Sequence, residues 1–207
     1  MSLFGRLYAG GYDRMMARAE KKSDSAAHRR SLVAGAKGEV IEIGAGTGRN
    51  LREYETATRV VAVEPEPDMR ARAARRATRA TVPVEVVDGD AMALPFPDAS
   101  FDTAVMSLVL CTIPDPGRAL AEARRVLRPG GTLRFYEHVR AEDPALAARQ
   151  DRWCRPWRWF GRGCHPNRDT VALIEGSGFR VRERADHVVS AVPSIVRPHV
   201  LGVAEAT

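Results

Sequence analysis

The chain of 207 residues has few cysteines, almost no lysine and no long apolar run. Its three cysteines, Cys111, Cys154 and Cys164, are odd in number and lack C-x-x-C spacing, which argues against a disulfide framework. The longest nearly unbroken apolar stretch, residues 104–113, is too short to cross a bilayer, and no secretory leader pattern opens the chain. We therefore expect a cytoplasmic protein without a transmembrane segment.

The net charge is +6, yet only three of the 32 basic residues are lysine. A basic chain often binds nucleic acid or anionic lipid. The arginines are spread over much of the chain, however, and neither a stacked-aromatic platform nor a recognition motif accompanies them. We expect no nucleic-acid partner.

Short apolar runs alternate with stretches of helical composition. This alternation predicts βαβ units and a parallel sheet, and the length suits one α/β domain. The predicted strands are residues 39–43, 59–63, 82–87, 101–110, 131–138, 179–189 and 195–203. The predicted helices are residues 48–54, 68–80, 115–127, 143–164 and 169–175, preceded by an N-terminal helical extension that Gly10 and Gly11 interrupt.

Three glycines in "IEIGAGTGRN", residues 41–50, follow an apolar run, as in a loop held against a ligand. A P-loop is excluded because no lysine and hydroxyl residue follow Gly48. A dinucleotide fingerprint requires glycine or alanine at position 49, where this chain has Arg49. The spacing is therefore G-x-G-x-G, which leaves the ligand to be decided by the neighbouring carboxylates.

Two acidic residues suggest what the glycine loop binds. Glu42, directly before the loop, would repel a pyrophosphate and suits a ligand that carries an ammonium group. Glu64 lies 20 residues after Gly44, a separation at which a carboxylate can accept hydrogen bonds from ribose hydroxyls. A nucleoside and an amino acid together describe S-adenosylmethionine.

Four ordered motifs extend this argument: "EIGAGTG", "VVAVEPEPDM", "DGDAMALPFPDASFD" and "ARRVLRPGG". Over residues 38–139 they resemble the class I methyltransferases that use S-adenosylmethionine, in the branch called methyltransferase type 11. The resemblance implies an α/β, Rossmann-like fold with helices on both faces of a mostly parallel seven-stranded sheet. It also implies that the last strand is inserted antiparallel, beside the strand that precedes it.

The same resemblance implies cofactor contacts. Glu42 is implied to lie near the methionine end of S-adenosylmethionine, and Glu64 is implied to accept from the ribose. Asp90 is implied to accept from the adenine amino group, although a solvated turn is an alternative role for it. The other implied contacts are the loop residues Gly44, Ala45, Gly46 and Gly48, Pro65 beside the adenine edge, the backbone amide of Ala91, and Ser107 beside the methionine portion, where simple packing is the alternative.

Further motifs are similar to those of a narrower group, the animal thiol S-methyltransferases. They are "LVLCTIPD", "FYEHVRAE", "GRGCHPNRDT" and "VRPHVLG", and the similarity extends over most of residues 38–204. It implies a small, apolar acceptor, foremost a thiol. The animal proteins carry an N-terminal membrane-anchoring segment that we do not expect here. The alternatives are an N- or O-methyltransferase of a phospholipid or secondary metabolite, and a non-catalytic cofactor-binding protein.

Glu137 and His138 end the fifth predicted strand, where ligands of open α/β sheets bind. His138 is the candidate general base because its ordinary pKa lies near neutrality. A thiol with a pKa of about 8.5 needs only a weak base. The alternative is that His138 anchors a lid by hydrogen bonds. We expect Glu137 either to orient His138 or to pair with Arg168, a candidate substrate residue.

An aromatic segment follows that strand and suggests a cover over the acceptor. Its side chains are Trp153, Trp157, Trp159 and Phe160, of which Trp153 and Trp157 are the candidate substrate residues. Contact with lipid head groups and ordinary packing are the alternatives. Tyr12 is a further candidate substrate residue. It shares a helix face with Tyr8 and Met16 and could close the site from the N-terminal side.

We expect no metal site, because Cys154, Cys164, His165 and His138 lack the paired short spacings of structural zinc sites. The expected partner is a small-molecule acceptor, and the chain is expected to be a monomer or homodimer with no more than peripheral membrane contact. We expect a single methyltransferase domain over residues 1–207. Its expected parts are the helical extension 1–36, the cofactor-binding core 38–139, the helical substrate cover 140–178 and the C-terminal strands 179–207.

Overall fold

The computed structural model describes residues 3–207, apart from the side chains of residues 3, 4, 6 and 8. The predicted role of the Tyr8 side chain therefore lies outside the described residues. The strands are β1 (Gly38–Ile43), β2 (Ala57–Val63), β3 (Val84–Val87), β4 (Phe101–Ser107), β5 (Leu127–His138), β6 (Phe179–Val188) and β7 (Pro198–Ala206). The helices are α1 (Leu3–Lys21), α2 (Ser25–Ala34), α3 (Pro67–Ala77), α4 (Pro116–Val126), α5 (Pro144–Phe160) and α6 (Thr170–Gly176), with a 3₁₀ turn at Ser194–Val196.

The strands form one sheet in the order β3-β2-β1-β4-β5-β7-β6. The five strands from β3 to β5 are parallel, whereas β7 is antiparallel to both β5 and β6. Only a short connection around the 3₁₀ turn joins β6 to β7, and so short a connection favours antiparallel pairing. The predicted seven-stranded sheet with its last strand inserted antiparallel is confirmed.

Each face of the sheet carries its own core. Central strands read as continuous apolar runs because both of their faces are covered. On one face Leu120 of α4 and Ile174 of α6 are fully buried against the sheet. On the other face Leu32 of α2 and Ala73 of α3 are fully buried. The helices on both faces confirm the predicted layers.

Two predicted helix features are wrong. Residues 48–54 form successive turns instead of a helix, with amide-to-carbonyl bonds spanning three residues. The reason is that Asn50 turns inward to buried polar partners, as described below. Gly10 and Gly11 do not interrupt α1, which is continuous through both. A Cβ at Gly10 would lie 3.0 Å from the Arg72 guanidinium. A close helix contact, rather than a break, accounts for that glycine.

Several predicted boundaries also shift. β4 ends at Ser107 instead of Leu110, since the backbone amides of Val109 and Leu110 donate to the Glu137 side chain. α4 ends at Val126, and β5 begins directly at Leu127, so the Pro-Gly-Gly segment at 129–131 belongs to the strand. The final strand starts only at Pro198. Within residues 3–207, no helix combines the length and apolar character needed to cross a membrane.

Candidate active site

The glycine loop after β1 has Gly44, Gly46 and Gly48 in the left-handed region, with φ of 72°, 58° and 77°. A Cβ at Gly44 would lie 2.2 Å from Val109, and one at Gly48 would lie 2.7 Å from the Ala73 backbone. A Cβ at Gly46 would meet nothing within 4 Å. Gly44 and Gly48 are therefore required by packing inside the protein, whereas the open side of Gly46 is available to a ligand.

Glu64 follows β2 and accepts a hydrogen bond from this loop at Gly46. Its Oε2 accepts from the Gly46 amide at 2.7 Å, and its Oε1 accepts from the Glu66 amide at 2.9 Å. Burial raises the pKa of Glu64, against the effect of these two backbone hydrogen bonds. A carboxylate offers about four acceptor positions, so two remain for a ligand beside Gly46.

Glu42, the other predicted carboxylate, lies beneath the loop and is only 1% exposed. Its Oε1 accepts from Asn50 at 2.8 Å, and its Oε2 accepts from the Tyr54 hydroxyl at 2.9 Å. Burial raises the pKa of Glu42 to about 7. Glu42 therefore supports the residues that follow the glycine loop, and its predicted place near the methionine end of the cofactor stays a prediction.

The N-terminal helices are tied to the same loop by buried polar groups. Arg29 of α2 donates to the Asn50 side chain at 3.0 Å and to the Arg49 carbonyl at 2.9 Å. Glu20 of α1 accepts from both Arg29 and Arg49. The chain of contacts runs from α1 through Arg29 and Asn50 to Glu42. Residues outside the four cofactor motifs thus determine the shape of the loop.

Asp13 of α1 forms a second link between the helices and the loop. It accepts from the Thr47 hydroxyl at 2.6 Å and pairs with Arg72 and Arg76 at 3.2 and 3.1 Å. Tyr12 is half-buried on the same helix, next to Asp13. α1 packs on α2 and α3, whereas α5, which carries the candidate tryptophans, packs on the 3₁₀ turn. The predicted role of Tyr12 in acceptor binding stays a prediction.

The remaining predicted cofactor contacts lie beyond the carboxyl ends of neighbouring strands. Pro65 is exposed after β2, Asp90 is exposed and Ala91 half-buried after β3, and Ser107 is half-buried at the end of β4. Asp90 uses Oδ1 to accept from the Met92 amide at 2.9 Å, which closes a turn. The adenine-binding role of Asp90 stays a prediction.

Glu137 at the end of β5 is fully buried. Its Oε1 accepts from the amides of Val109 and Leu110 at 2.8 and 3.0 Å, and burial raises its pKa to about 7. Within the described part of the chain, its carboxylate bonds to neither His138 nor Arg168. Its carboxylate holds the backbone that follows β4, and its predicted roles beside His138 and Arg168 stay predictions.

Arg168 also contacts the backbone that follows β4. One guanidinium nitrogen donates to the carbonyls of Leu110 and Ile113. Leu108, just before this segment, has a φ of 53° and donates its amide to the Tyr136 carbonyl at 2.8 Å. A left-handed leucine is costly and persists only where its surroundings impose it. Residues 108–113 are thus held in a fixed shape.

His138 faces a cysteine cluster that spacing did not predict. Its Nε2 lies 3.1 Å from Cys164 Sγ, and the Trp157 indole N–H donates to the same sulfur at 3.1 Å. Cys111 belongs to the same buried group. The hydrogen bond from Cys111, with those from His138 and Trp157, lowers the pKa of Cys164, whereas the pKa of Cys111 is raised. Burial disfavours charged His138, but its contact with Cys164 raises its pKa.

Trp157 also lines an apolar groove of about 390 Å³ between α5 and the 3₁₀ turn. Trp153 contributes to the wall and is 53% exposed, whereas Trp159 is 80% exposed and lies outside the lining. The predicted aromatic segment therefore divides into a groove wall and an exposed flank. Trp157 stands between the groove and Cys164. The groove is lined by Arg149, Trp153, Pro156, Trp157, Phe160, Pro193, Ser194 and Ile195.

Comparison with known proteins agrees with this architecture. The family model described as "Methyltransferase domain" matches residues 41–135. Thiol S-methyltransferase TMT1B of Homo sapiens is 35% identical over 180 residues, which are 82% of this chain and 72% of that protein. TMT1B of Rattus norvegicus is also 35% identical, over 145 residues that cover 68% of this chain and 59% of the relative. The chain thus spans only part of the length of these relatives.

A methyltransferase solved in complex with the Haloferax volcanii activator Trm112 has the same fold. It superposes with a TM-score of 0.74 at 20% identity, over 98% of this chain and 97% of that one. The fold and the glycine loop together define a methyltransferase of the Rossmann-like type. The chain belongs to the class I S-adenosylmethionine-dependent methyltransferases, in the family that includes human TMT1B. Fold and family imply that S-adenosylmethionine is its cofactor.

Glu42→Gln tests the buried network under the loop. The pKa of Glu42 rises from 4.5 to about 7 on folding, so the folded state prefers the protonated form. Stability is then lost as the pH rises from 4.5 to about 7. The neutral glutamine removes this loss, which we expect to be on the order of 1 to 3 kcal/mol. Urea unfolding at pH 5 and pH 8 measures it.

The matched control is Glu39→Gln, on the same strand, whose carboxylate is partly exposed and pairs with Arg59. We expect this variant to keep the wild-type difference between the two pH values. An unchanged difference in Glu42→Gln as well would show that the carboxylate does not titrate as described.

Proposed function

We propose that this methyltransferase acts on the sulfur of a small, apolar thiol. The observation that carries the acceptor class is the 35% identity to a thiol S-methyltransferase over 82% of the chain. The apolar groove at Trp153 and Trp157 supports it, since apolar walls favour an acceptor with little charge. Trp157 in the groove wall donates to Cys164, and Cys164 in turn contacts His138 at the end of β5.

The cofactor, in this proposal, lies along the carboxyl ends of β1 to β4. The open side of Gly46 supports this position, because the backbone there can approach a ligand closely. Glu64 would bind the ribose with its free acceptor positions, while Asp90 and the Ala91 amide would bind adenine. Ser107 and the Gly44 to Gly48 loop would border the methionine portion. Glu42 would act through the loop that it supports.

Bound S-adenosylmethionine supplies an electrophilic methyl group. The acceptor thiol would lose its proton to the solvent and take up that methyl group, so that a thioether and S-adenosylhomocysteine would leave the site. The protein's part is to align the two groups and to exclude water. We infer that Glu137 and Arg168 fix the strand ends that border the acceptor, and that His138 lies on the acceptor side.

The same proposal assigns parts of the chain. Residues 38–139 would bind the cofactor, and residues 140–178 would cover the acceptor through α5. The extension over residues 1–36 would shape the glycine loop, since Asp13, Glu20 and Arg29 contact it. Residues 179–207 would complete the sheet.

Gly46→Ala tests the cofactor position. The added methyl group would occupy the open side of the loop, and we expect the dissociation constant for S-adenosylmethionine to rise at least about tenfold, or roughly 1.4 kcal/mol. Isothermal titration calorimetry measures this constant. Part of any effect comes from the left-handed backbone, where alanine costs about 1 to 2 kcal/mol.

Gly130→Ala separates the two effects. Gly130 also has a left-handed φ, of 77°, and open space around its Cβ, but it lies at the opposite end of the sheet. We expect it to lower stability as Gly46→Ala does and to leave cofactor affinity unchanged. Equal affinities in the two variants would place the cofactor elsewhere.

An acceptor panel tests the reaction itself. We expect methyl transfer to small apolar thiols, measured as S-adenosylhomocysteine formed, with much weaker transfer to amines, phenols and phosphatidylethanolamine vesicles. A thiol is the best nucleophile of this set near neutral pH because a few per cent is already ionised. Transfer to amines or phenols without transfer to thiols would refute the thiol proposal.

Trp153→Ala tests the groove. Its removal takes away apolar contact that substrate and transition state share, so we expect the Michaelis constant of an aromatic thiol to rise roughly fivefold to tenfold with little change in kcat. The matched control is Trp159→Ala, which removes an indole outside the groove lining and should change neither constant. If both variants behave alike, the groove does not bind the acceptor.

A further inference from the structure

We propose that Cys111, His138 and Cys164 form a zinc-binding site whose fourth coordination position is open to a thiol. One ligand atom from each residue lies within 4.8 Å of the other two, and His138 Nε2 lies 3.1 Å from Cys164 Sγ. Tetrahedral zinc holds neighbouring sulfur and nitrogen ligands roughly 3.6 to 3.8 Å apart. To admit the ion, His138 Nε2 and Cys164 Sγ would therefore move apart by about half an ångström, and a ligand pair at the 4.8 Å limit would close by about 1 Å.

The three ligands come from separate elements that are held in place. Cys111 lies in the segment fixed by Glu137 and Arg168, and His138 is the last residue of β5. The amide of His165 donates to the Cys111 carbonyl at 2.8 Å, which joins the two cysteine-bearing loops. The protein therefore brings the ligands together without a metal, as a preformed site requires.

Burial and charge favour an ion at this position. Cys111, His138 and Cys164 are 2%, 7% and 7% exposed, so charged groups here have little access to water. Two thiolates this close would repel each other, whereas two thiolates and one divalent zinc ion sum to zero charge. Thiolate and imidazole are also the ligands that zinc prefers.

The surroundings of Cys164 match those of a metal ligand, whereas His138 Nδ1 has no hydrogen-bond partner among the described residues. Ligand atoms of metal sites are usually oriented by a further hydrogen bond, and Cys164 receives one from the Trp157 indole at 3.1 Å. Cys154 and His165 make other contacts. Cys154 donates to Asn167, and the His165 ring faces the Cys111 carbonyl. Cys154 therefore serves as an internal control.

The fourth position gives the ion a use in the proposed reaction. Among the described residues the cluster has three protein ligands, and zinc sites with three protein ligands and an open position are typically catalytic. A thiol that binds there loses its proton to the solvent and is held as the nucleophilic thiolate. This part of the proposal rests on the proposed thiol substrate, but the metal site itself does not.

Cobalt titration tests the metal site. Untagged full-length protein, reduced with a phosphine so that no other thiol is present, is titrated with Co²⁺. We expect about one equivalent to bind and to produce an intense sulfur-to-cobalt charge-transfer band, which Zn²⁺ then abolishes. Without that band in the reduced wild-type protein, the proposal is wrong, whatever the variants do.

Three single variants locate the ligands. Cys111→Ser and Cys164→Ser should each weaken or abolish the band, whereas Cys154→Ser should keep it. Circular dichroism confirms that each variant is folded. A band that survives in Cys164→Ser, or that disappears in Cys154→Ser, would contradict the assigned ligands. The assigned ligands would also be contradicted if Cys111 and Cys164 form a disulfide and the protein still binds no cobalt after that disulfide is reduced.

Addition of 2-mercaptoethanol tests the open position. The cobalt spectrum of the wild-type protein should change as the thiol becomes the fourth ligand, and an unchanged spectrum would refute the open position. No cofactor or turnover enters these measurements. A normal cobalt band with no thiol methylation would therefore overturn the proposed function alone, and methylation without the band would overturn the zinc site alone.

Discussion

A buried glutamate carboxylate that accepts hydrogen bonds from a loop at the carboxyl edge of the sheet is the interaction on which the site depends. It occurs at the carboxyl ends of three strands: Glu42 in β1, Glu64 after β2 and Glu137 in β5. Unpaired polar groups are costly where water is excluded, so each loop presents donors to its carboxylate, although Glu137 Oε2 has no hydrogen-bond partner among the described residues. The glycine loop and the 108–113 segment are both held in this way.

These carboxylates also explain why the N-terminal helices matter to the site. Glu42 bonds Asn50, and Asn50 in turn accepts from Arg29 of α2, which pairs with Glu20 of α1. Residues far from the glycine motif thus set the conformation of the glycine loop. A change in the position of α1 would be transmitted to the loop through these contacts, because each buried partner needs the next.

At the acceptor side, Trp157 connects two environments of different character. Its ring lines the apolar groove, and its indole N–H donates to Cys164 in the buried cysteine cluster. An acceptor with an apolar body and a sulfur head matches both environments. The proposed thiol substrate and the proposed zinc site are therefore two consequences of one arrangement, although each stands on its own observations.

The sequence by itself determined the fold class and the position of the glycine loop. Strand and helix alternation, turn residues and the G-x-G-x-G spacing are local features, and local periodicity predicts local structure. The family resemblance carried by the ordered motifs then implied a sheet with its last strand antiparallel, which is confirmed. The helix predicted for residues 48–54 is wrong because the buried partners of Asn50 outweigh local propensity.

Only the tertiary structure decided how the site residues are used. All three loop glycines look equivalent in the sequence, but only Gly46 has an open side, since Val109 and Ala73 from distant segments pack on the other two. In the same way, spacing argued against a metal cluster, because Cys111 and Cys164 belong to motifs far apart in the chain. Short-range spacing carries no information about side chains that folding brings together, and the cysteine cluster is formed entirely by such long-range contacts.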